Sequence, residues 1–274
     1  MLENIFGLIG CVSFEKFYIG VISILLFCIL AVLLQRLSRK HFEKKKLDPE
    51  IVGGFFQVIG TVYAILIGLI VYDATDRYSA AHENVANESK ALVSIFILSK
   101  QVRPDSVASD IRNMAKDYVR EVLSHDWDYL QNEAVNKKAR GLIRDINLKA
   151  ISLSPETKNE EIIVPILIEA SMDAWRYRMS RFDISTHSLP ASEWILLLSG
   201  AVLTLFCSFF YYLECQASQS ILTFLTAFVI ASSLYAILMF SEPYKGDFAV
   251  SRKPFEIALG IMDESYFAQE VLNE

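Results

Sequence analysis

The chain has little of what most catalytic or secreted proteins need. Its four cysteines, Cys11, Cys28, Cys207 and Cys215, form no CxxC pair, and none is spaced from a histidine as zinc requires. Cys28 and Cys207 lie within apolar runs, where a thiol behaves as a small hydrophobe, so no disulfide framework is expected. The four histidines, His41, His82, His125 and His187, are scattered, and the plain account of them is solvated polar surface. No GxSxG, HExxH, Walker loop or GxGxxG is present, so no enzyme chemistry and no cofactor is implied. The balance is acidic, with a net charge of -6, which argues against nucleic acid as a partner. Strand-like alternation, internal repeats and low-complexity tracts are also missing.

What the chain does have is long apolar runs without interior charge. These cover residues 17–34, 53–72, 194–213 and 221–240, in a chain that is 53% hydrophobic. A helix of roughly 20 apolar residues crosses a bilayer. Lipid offers no partners to backbone groups, and four segments cannot close a barrel, so each run must be helical. Tyr18, Tyr72, Trp194, Tyr211, Tyr212 and Phe240 mark the ends as an interfacial belt does. The expected fold is an all-α membrane protein with four transmembrane helices and an inserted helical extramembrane domain between spans two and three. The divisions are 1–72, 73–193, 194–240 and a tail over 241–274. Residues 2–12 are expected as a short interfacial helix. Leu8-Ile9-Gly10-Cys11 resembles a lipoprotein cleavage box, but only a short uncharged segment precedes it, unlike a signal peptide.

Loop 35–52 holds six Lys/Arg, and the N-terminal tail holds only Lys16. The positive-inside rule therefore puts that loop in the cytoplasm of a multi-pass cell-membrane protein. Both termini and residues 73–193 then lie outside; the opposite sense stays open. No Pro or Gly interrupts Ile70 to Val102, so the second span is expected to run on as one helix until Pro104. Helices over 106–123 and 133–151 should follow. A fourth should open at Ser154-Pro155, reach Phe182 and kink at Pro165. Trp127 and Trp175 are expected to anchor these helices.

The stretch from Gly54-Phe55-Phe56-Gln57 through Gly60-Thr61-Val62-Tyr63-Ala64 leads past Asp73 to Glu88-Ser89-Lys90-Ala91-Leu92. It resembles the opening of the bacterial bestrophin-like domain family. Three further pieces follow in order. They are Asp117-Tyr118-Val119 with Trp127, then Arg176, Arg178 and Arg181 with Leu189-Pro190 and Trp194, then Glu242-Pro243-Tyr244-Lys245-Gly246 with Val250-Ser251 and Pro254. Glu242 stands where the family pattern has a basic or small residue. The resemblance implies kinship with bestrophins, which are pentameric ion channels with a pore lined by the second span. Bestrophins keep their soluble domain in the cytoplasm, opposite to the orientation read from the basic residues.

As a helix, the second span turns about 100° per residue. Gln57, Gly60, Thr61, Ala64 and Gly68 share one face. The plain expectation is that Gly60, Ala64 and Gly68 pack against another helix of the same chain. The opposite face holds Phe55, Ile59, Val62 and Leu66, in line with Asp73. A carboxylate at the membrane margin must reach water or a partner. Either Asp73 lies in headgroup water, or the face lines a pore with an apolar neck and a mouth of Asp73 and Asp76. Two functions follow. One is a homo-oligomeric channel for inorganic ions, leaning to cations. The other is a membrane-anchored structural or sensor protein whose extramembrane helices bind a partner.

Overall fold

The computed structural model describes residues 17–42, 49–187, 189–210, 213 and 215–263. The expected helix at 2–12, Cys11 and Lys16 lie outside them. Among the described residues the secondary structure is helical, with no strand. The chain divides into two compact units, residues 1–77 with 189–248, and residues 78–188 with 249–274.

The first unit carries the membrane helices. Helix α1 is Phe17–Phe42, α2 is Pro49–Ser99, α7 is Ala191–Phe210 and α8 is Gln216–Ser241. Among the described residues these four are the helices long and apolar enough to cross a membrane. Of the membrane helices, α1 and α8 pack together most extensively. Apolar attraction cannot hold helices together in lipid, so shape must. Gly20 on α1 leaves room for the Tyr235 ring, and Gly200 on α7 leaves room for Tyr63. A Cβ at Gly200 would lie 2.4 Å from the Tyr63 ring. Tyr63 is buried with Cys28, Ala31, Ala201, Leu205 and Ala227. Its hydroxyl donates to the Leu197 carbonyl oxygen at 2.9 Å, which satisfies a polar group in an apolar core. Ile70, Leu189, Leu197 and Ile237 form a second cluster beside it.

Helix α2 is one element of 51 residues. It ends at Ser99, short of Pro104. Lys100 and Gln101 make tight i→i+3 turns instead, and the Arg112 guanidinium donates to the carbonyl of the buried Ser99 at 3.1 Å.

The second unit contains the rest of α2, then α3 (Asp105–Glu121), a π-helical turn (Val122–Asp126), α4 (Trp127–Gln131), α5 (Lys137–Ile151), α6 (Lys158–Thr186) and α9 (Lys253–Met262). The expected break after residue 123 is absent. One extra residue in the π turn lets Glu121, Val122, Asp126 and Trp127 all turn inward. Helix α5 starts four residues later than expected. Its cap is Asn136, whose side chain accepts from the Lys138 and Ala139 amides. Helix α6 opens at a capping box rather than at Ser154-Pro155. Thr157 and Glu160 satisfy each other's amides, and Glu160 also accepts from the Glu156 and Arg103 amides. It continues through Pro165 to Thr186. Helix α9 buries Phe255, Ala258 and Met262. Trp127 Nε1 donates to the Val250 carbonyl at 3.0 Å, so Trp127 anchors this segment within its unit.

Candidate functional site: the uncovered side of the second span

Within the first unit, α2 turns Tyr63, Ile67 and Ile70 toward the chain's own helices. The side pointing away carries two rows. One is bulky and apolar: Ile51, Phe55, Val58, Val62, Ile65, Leu69 and Tyr72, all exposed. Its steps alternate between four and three residues, the spacing that keeps one seam of a helix facing one direction. Phe55 is 67% exposed and Val62 is 64% exposed. Ile59 and Leu66, expected in the same row, lie at its margin and are half-buried. Leu66 packs against both apolar clusters, because it stands between Tyr63 and Ile70 on the helix surface.

The other row is small. Ala64 is exposed, and a Cβ added at Gly60 or Gly68 would meet nothing within 4 Å among the described residues. Among the described residues, then, no helix of the same chain closes on Gly60 or Gly68. Large side chains such as Tyr63 make the contact inside the chain, on a different face. Gln57 and Thr61 are also exposed, and the Thr61 hydroxyl donates to the Gln57 carbonyl at 2.7 Å.

Beyond the apolar rows, Asp73 and Asp76 are both exposed. Asp73 Oδ2 lies 4.0 Å from Arg77 Nε, one turn along. An exposed pair of this kind is weak. The Asp73 carboxylate therefore has a cationic neighbour that the sequence reading left out of the mouth.

The second unit holds a cluster of charge with no assigned role in the sequence reading. Glu88, Tyr118, Asp126, Arg178 and Arg181 are all buried. Arg181 donates to Glu88 through Nε at 2.9 Å and to Asp126 through Nη2 at 2.7 Å. Arg178 takes Asp126 with both terminal nitrogens, at 3.2 and 3.1 Å, and donates to the Tyr118 hydroxyl at 2.9 Å. Tyr118 in turn donates to Glu88. Two carboxylates and two guanidiniums make the cluster neutral. Arg181 also lies over the rings of Trp127 and Phe255, at 5.2 and 5.4 Å. Burial disfavours ionisation of Asp126, but the two guanidiniums outweigh it and hold its carboxyl below the usual range. Burial pushes the Tyr118 phenol well up, so it stays a donor. A signal for this cluster exists in the sequence. Glu88 keeps helical phase with Val85 and Leu92, and Arg178 and Arg181 keep phase with Leu167 and Ala174. Arg176, out of phase, is exposed and pairs with Asp173. His82, His125 and His187 are exposed.

The architecture is that of a four-span helical membrane protein. A model of the Bestrophin-like domain family matches residues 21–255, and the chain belongs to that family. A point variant of a bacterial bestrophin homologue from Klebsiella pneumoniae superposes with a TM-score of 0.69 at 12% identity, over 89% of this chain and 98% of that one. Another crystal structure of a bacterial bestrophin homologue from Klebsiella pneumoniae gives 0.68 at 11% identity, over 88% and 98%. A structure described only as a membrane protein variant gives 0.69 at 11% identity, over the same shares. At such identities the likeness is one of fold. None of the curated proteins matches.

Proposed function

We propose that the chain is one subunit of a homo-oligomeric ion channel in the cell membrane, with α2 lining the conducting path. The observation that carries this is the division of the uncovered side of α2 into a bulky row and a small row. One lipid-facing surface needs no such sorting. In a closed ring, the small row of Gly60, Ala64 and Gly68 lets a neighbouring subunit approach, and the bulky row lies toward the axis. Family membership supports a ring, and the bestrophin resemblance suggests five subunits. Phe55, Val58, Val62, Ile65 and Leu69 form the apolar neck, with Ile59 and Leu66 supporting it from the covered side. Such a constriction gates by dewetting.

Asp73 and Asp76 form the mouth. Two carboxylates against Arg77 leave each subunit with net negative charge there, and a ring of them raises the local cation concentration. The channel therefore favours cations. The test is ion flux through purified protein in liposomes. Asp73→Asn with Asp76→Asn should lower the cation-to-anion permeability ratio, and an unchanged ratio would remove the acidic mouth. Protein that runs as a monomer and passes no ions would favour the anchor role, with partners sought for the second unit's helices.

A further inference from the structure

At the end of α1 that carries the basic stretch, Gln35 is only 1% exposed. Its Oε1 accepts from Ser220 Oγ at 3.4 Å, while its Nε2 is enclosed without a partner. A buried donor in that state is costly. Ser220 Oγ also accepts from Arg36 Nε at 3.4 Å. Next along the helix, Arg39 donates through Nη1 to Gln219 Oε1 at 3.0 Å and through Nη2 to the Leu213 carbonyl at 3.2 Å. Gln219 and Ser220 are buried within the first five residues of α8, so the two guanidiniums sit near the amino end of a 26-residue helix. Arg36 is exposed, and among the described residues its two terminal nitrogens make no hydrogen bond or ion pair. The same stretches of the two helices also carry exposed apolar side chains: Leu33, Leu34, Leu37, Ile221 and Leu222. The flanking sequence has six Lys/Arg (Arg36, Arg39, Lys40, Lys44, Lys45 and Lys46) against four acidic residues, Glu43, Asp48, Glu50 and Glu214.

We propose that this end of the α1–α8 pair binds the headgroup of an anionic phospholipid. The Arg36 terminal nitrogens take the phosphodiester oxygens. Arg39, held in place by Gln219 and Leu213, adds its charge, and the α8 amino end adds its dipole. Gln35 Nε2 is the inner donor beneath them. The exposed leucines and Ile221 lie along the acyl chains. Orphaned donor, oriented cations and apolar rim coincide only for an amphiphile with a negative head. Free phosphate would use the donors and leave the rim idle.

The experiment is native mass spectrometry of the full chain in detergent, titrated with phosphatidylglycerol or with phosphatidylcholine of the same acyl chains. Phosphatidylglycerol should bind more tightly. Arg36→Gln and Arg39→Gln should each weaken it roughly five-fold, the change set by about 1 kcal/mol per basic residue at an anionic surface. Arg36 is exposed, so Arg36→Gln leaves the fold intact, and Arg36→Lys should retain part of the preference. Gln35→Leu should raise thermal stability without lipid and lower the gain on adding phosphatidylglycerol. Millimolar inorganic phosphate should not displace the lipid. Equal binding of the two lipids, an Arg36→Gln variant indistinguishable from the parent, or displacement by phosphate alone would each overturn the proposal.

Discussion

Replacing Arg181 by Leu should be among the most damaging single changes in the second unit. The guanidinium lies within 2.7–3.2 Å of oxygens on Glu88 and Asp126 and is 1% exposed. At ~3 Å and an effective dielectric of about 20, each charge contact is worth roughly 5 kcal/mol before desolvation is counted. Desolvation cancels most of that, so the net worth of the cluster is small. Removing one partner is different. Glu88 keeps only the Tyr118 hydroxyl, and a carboxylate stays buried without its cation, at a cost of about 3–5 kcal/mol. With roughly 2–4 °C lost per kcal/mol for a domain of about this size, Arg181→Leu should lower the melting temperature by roughly 6–20 °C. The decisive comparison is the double-mutant cycle. Glu88→Leu together with Arg181→Leu removes one cation and one anion, leaving Arg178 paired with Asp126. The double variant should therefore be more stable than Arg181→Leu alone. Arg181→Lys should fall between, because an ammonium cannot span both carboxylates with a fixed fork. Melting of the detergent-solubilised parent, Arg181→Leu, Glu88→Leu, the double variant and Arg181→Lys, followed by tryptophan fluorescence, reads all five. Additive losses in the double variant would refute the reasoning.

Asp126, with its carboxyl held below the ordinary range, contributes stability that is fully present above the unfolded value of about 3.9 and is lost as pH falls through the lower folded value. Melting temperatures between pH 5 and pH 2 should show this decline, and Asp126→Asn should flatten it after an overall loss at pH 7. Gly200→Ala should destabilise the first unit by about 1–3 kcal/mol, because the Tyr63 ring it would strike is buried and tied to Leu197. Gly60→Leu should leave subunit melting unchanged but weaken assembly, measured as oligomer mass in detergent. For orientation, an impermeant thiol reagent on a cysteine-free background should reach Lys137→Cys and not Lys44→Cys from outside. Lys137 is exposed, whereas Asn136 beside it is buried as a helix cap.

Much of the fold was legible because lipid simplifies it: uncharged runs of span length can only be helices, and four appear. The long α2 was legible from the absence of Pro and Gly across Ile70–Val102. Helix boundaries in the second unit were not, because side-chain hydrogen bonds set them. Thr157 and Asn136 win their amides over Ser154 and Glu133, and no periodicity reports that competition. The π turn at Val122–Asp126 had no signal, since one added residue matters only through what it turns inward. In the candidate site, the direction of Phe55 and Val62 followed from helical phase. That no described residue closes on Gly60 or Gly68 depends on where Tyr63 finds its cavity at Gly200, a contact made far apart in the chain. The buried cluster was half visible: its charges sit in apolar phase, but their pairing crosses three helices.

The central claim, that α2 of each subunit faces a shared conducting path, is tested most directly by thiol block. Val62→Cys and Ile67→Cys, each in a cysteine-free background, are reconstituted in planar bilayers, and current is recorded before and after a charged, water-soluble thiol reagent. The account predicts an irreversible fall in current for Val62→Cys and none for Ile67→Cys, which is packed against the chain's own helices. Block at Ile67→Cys without block at Val62→Cys, or no current from either protein or from the parent, would contradict it.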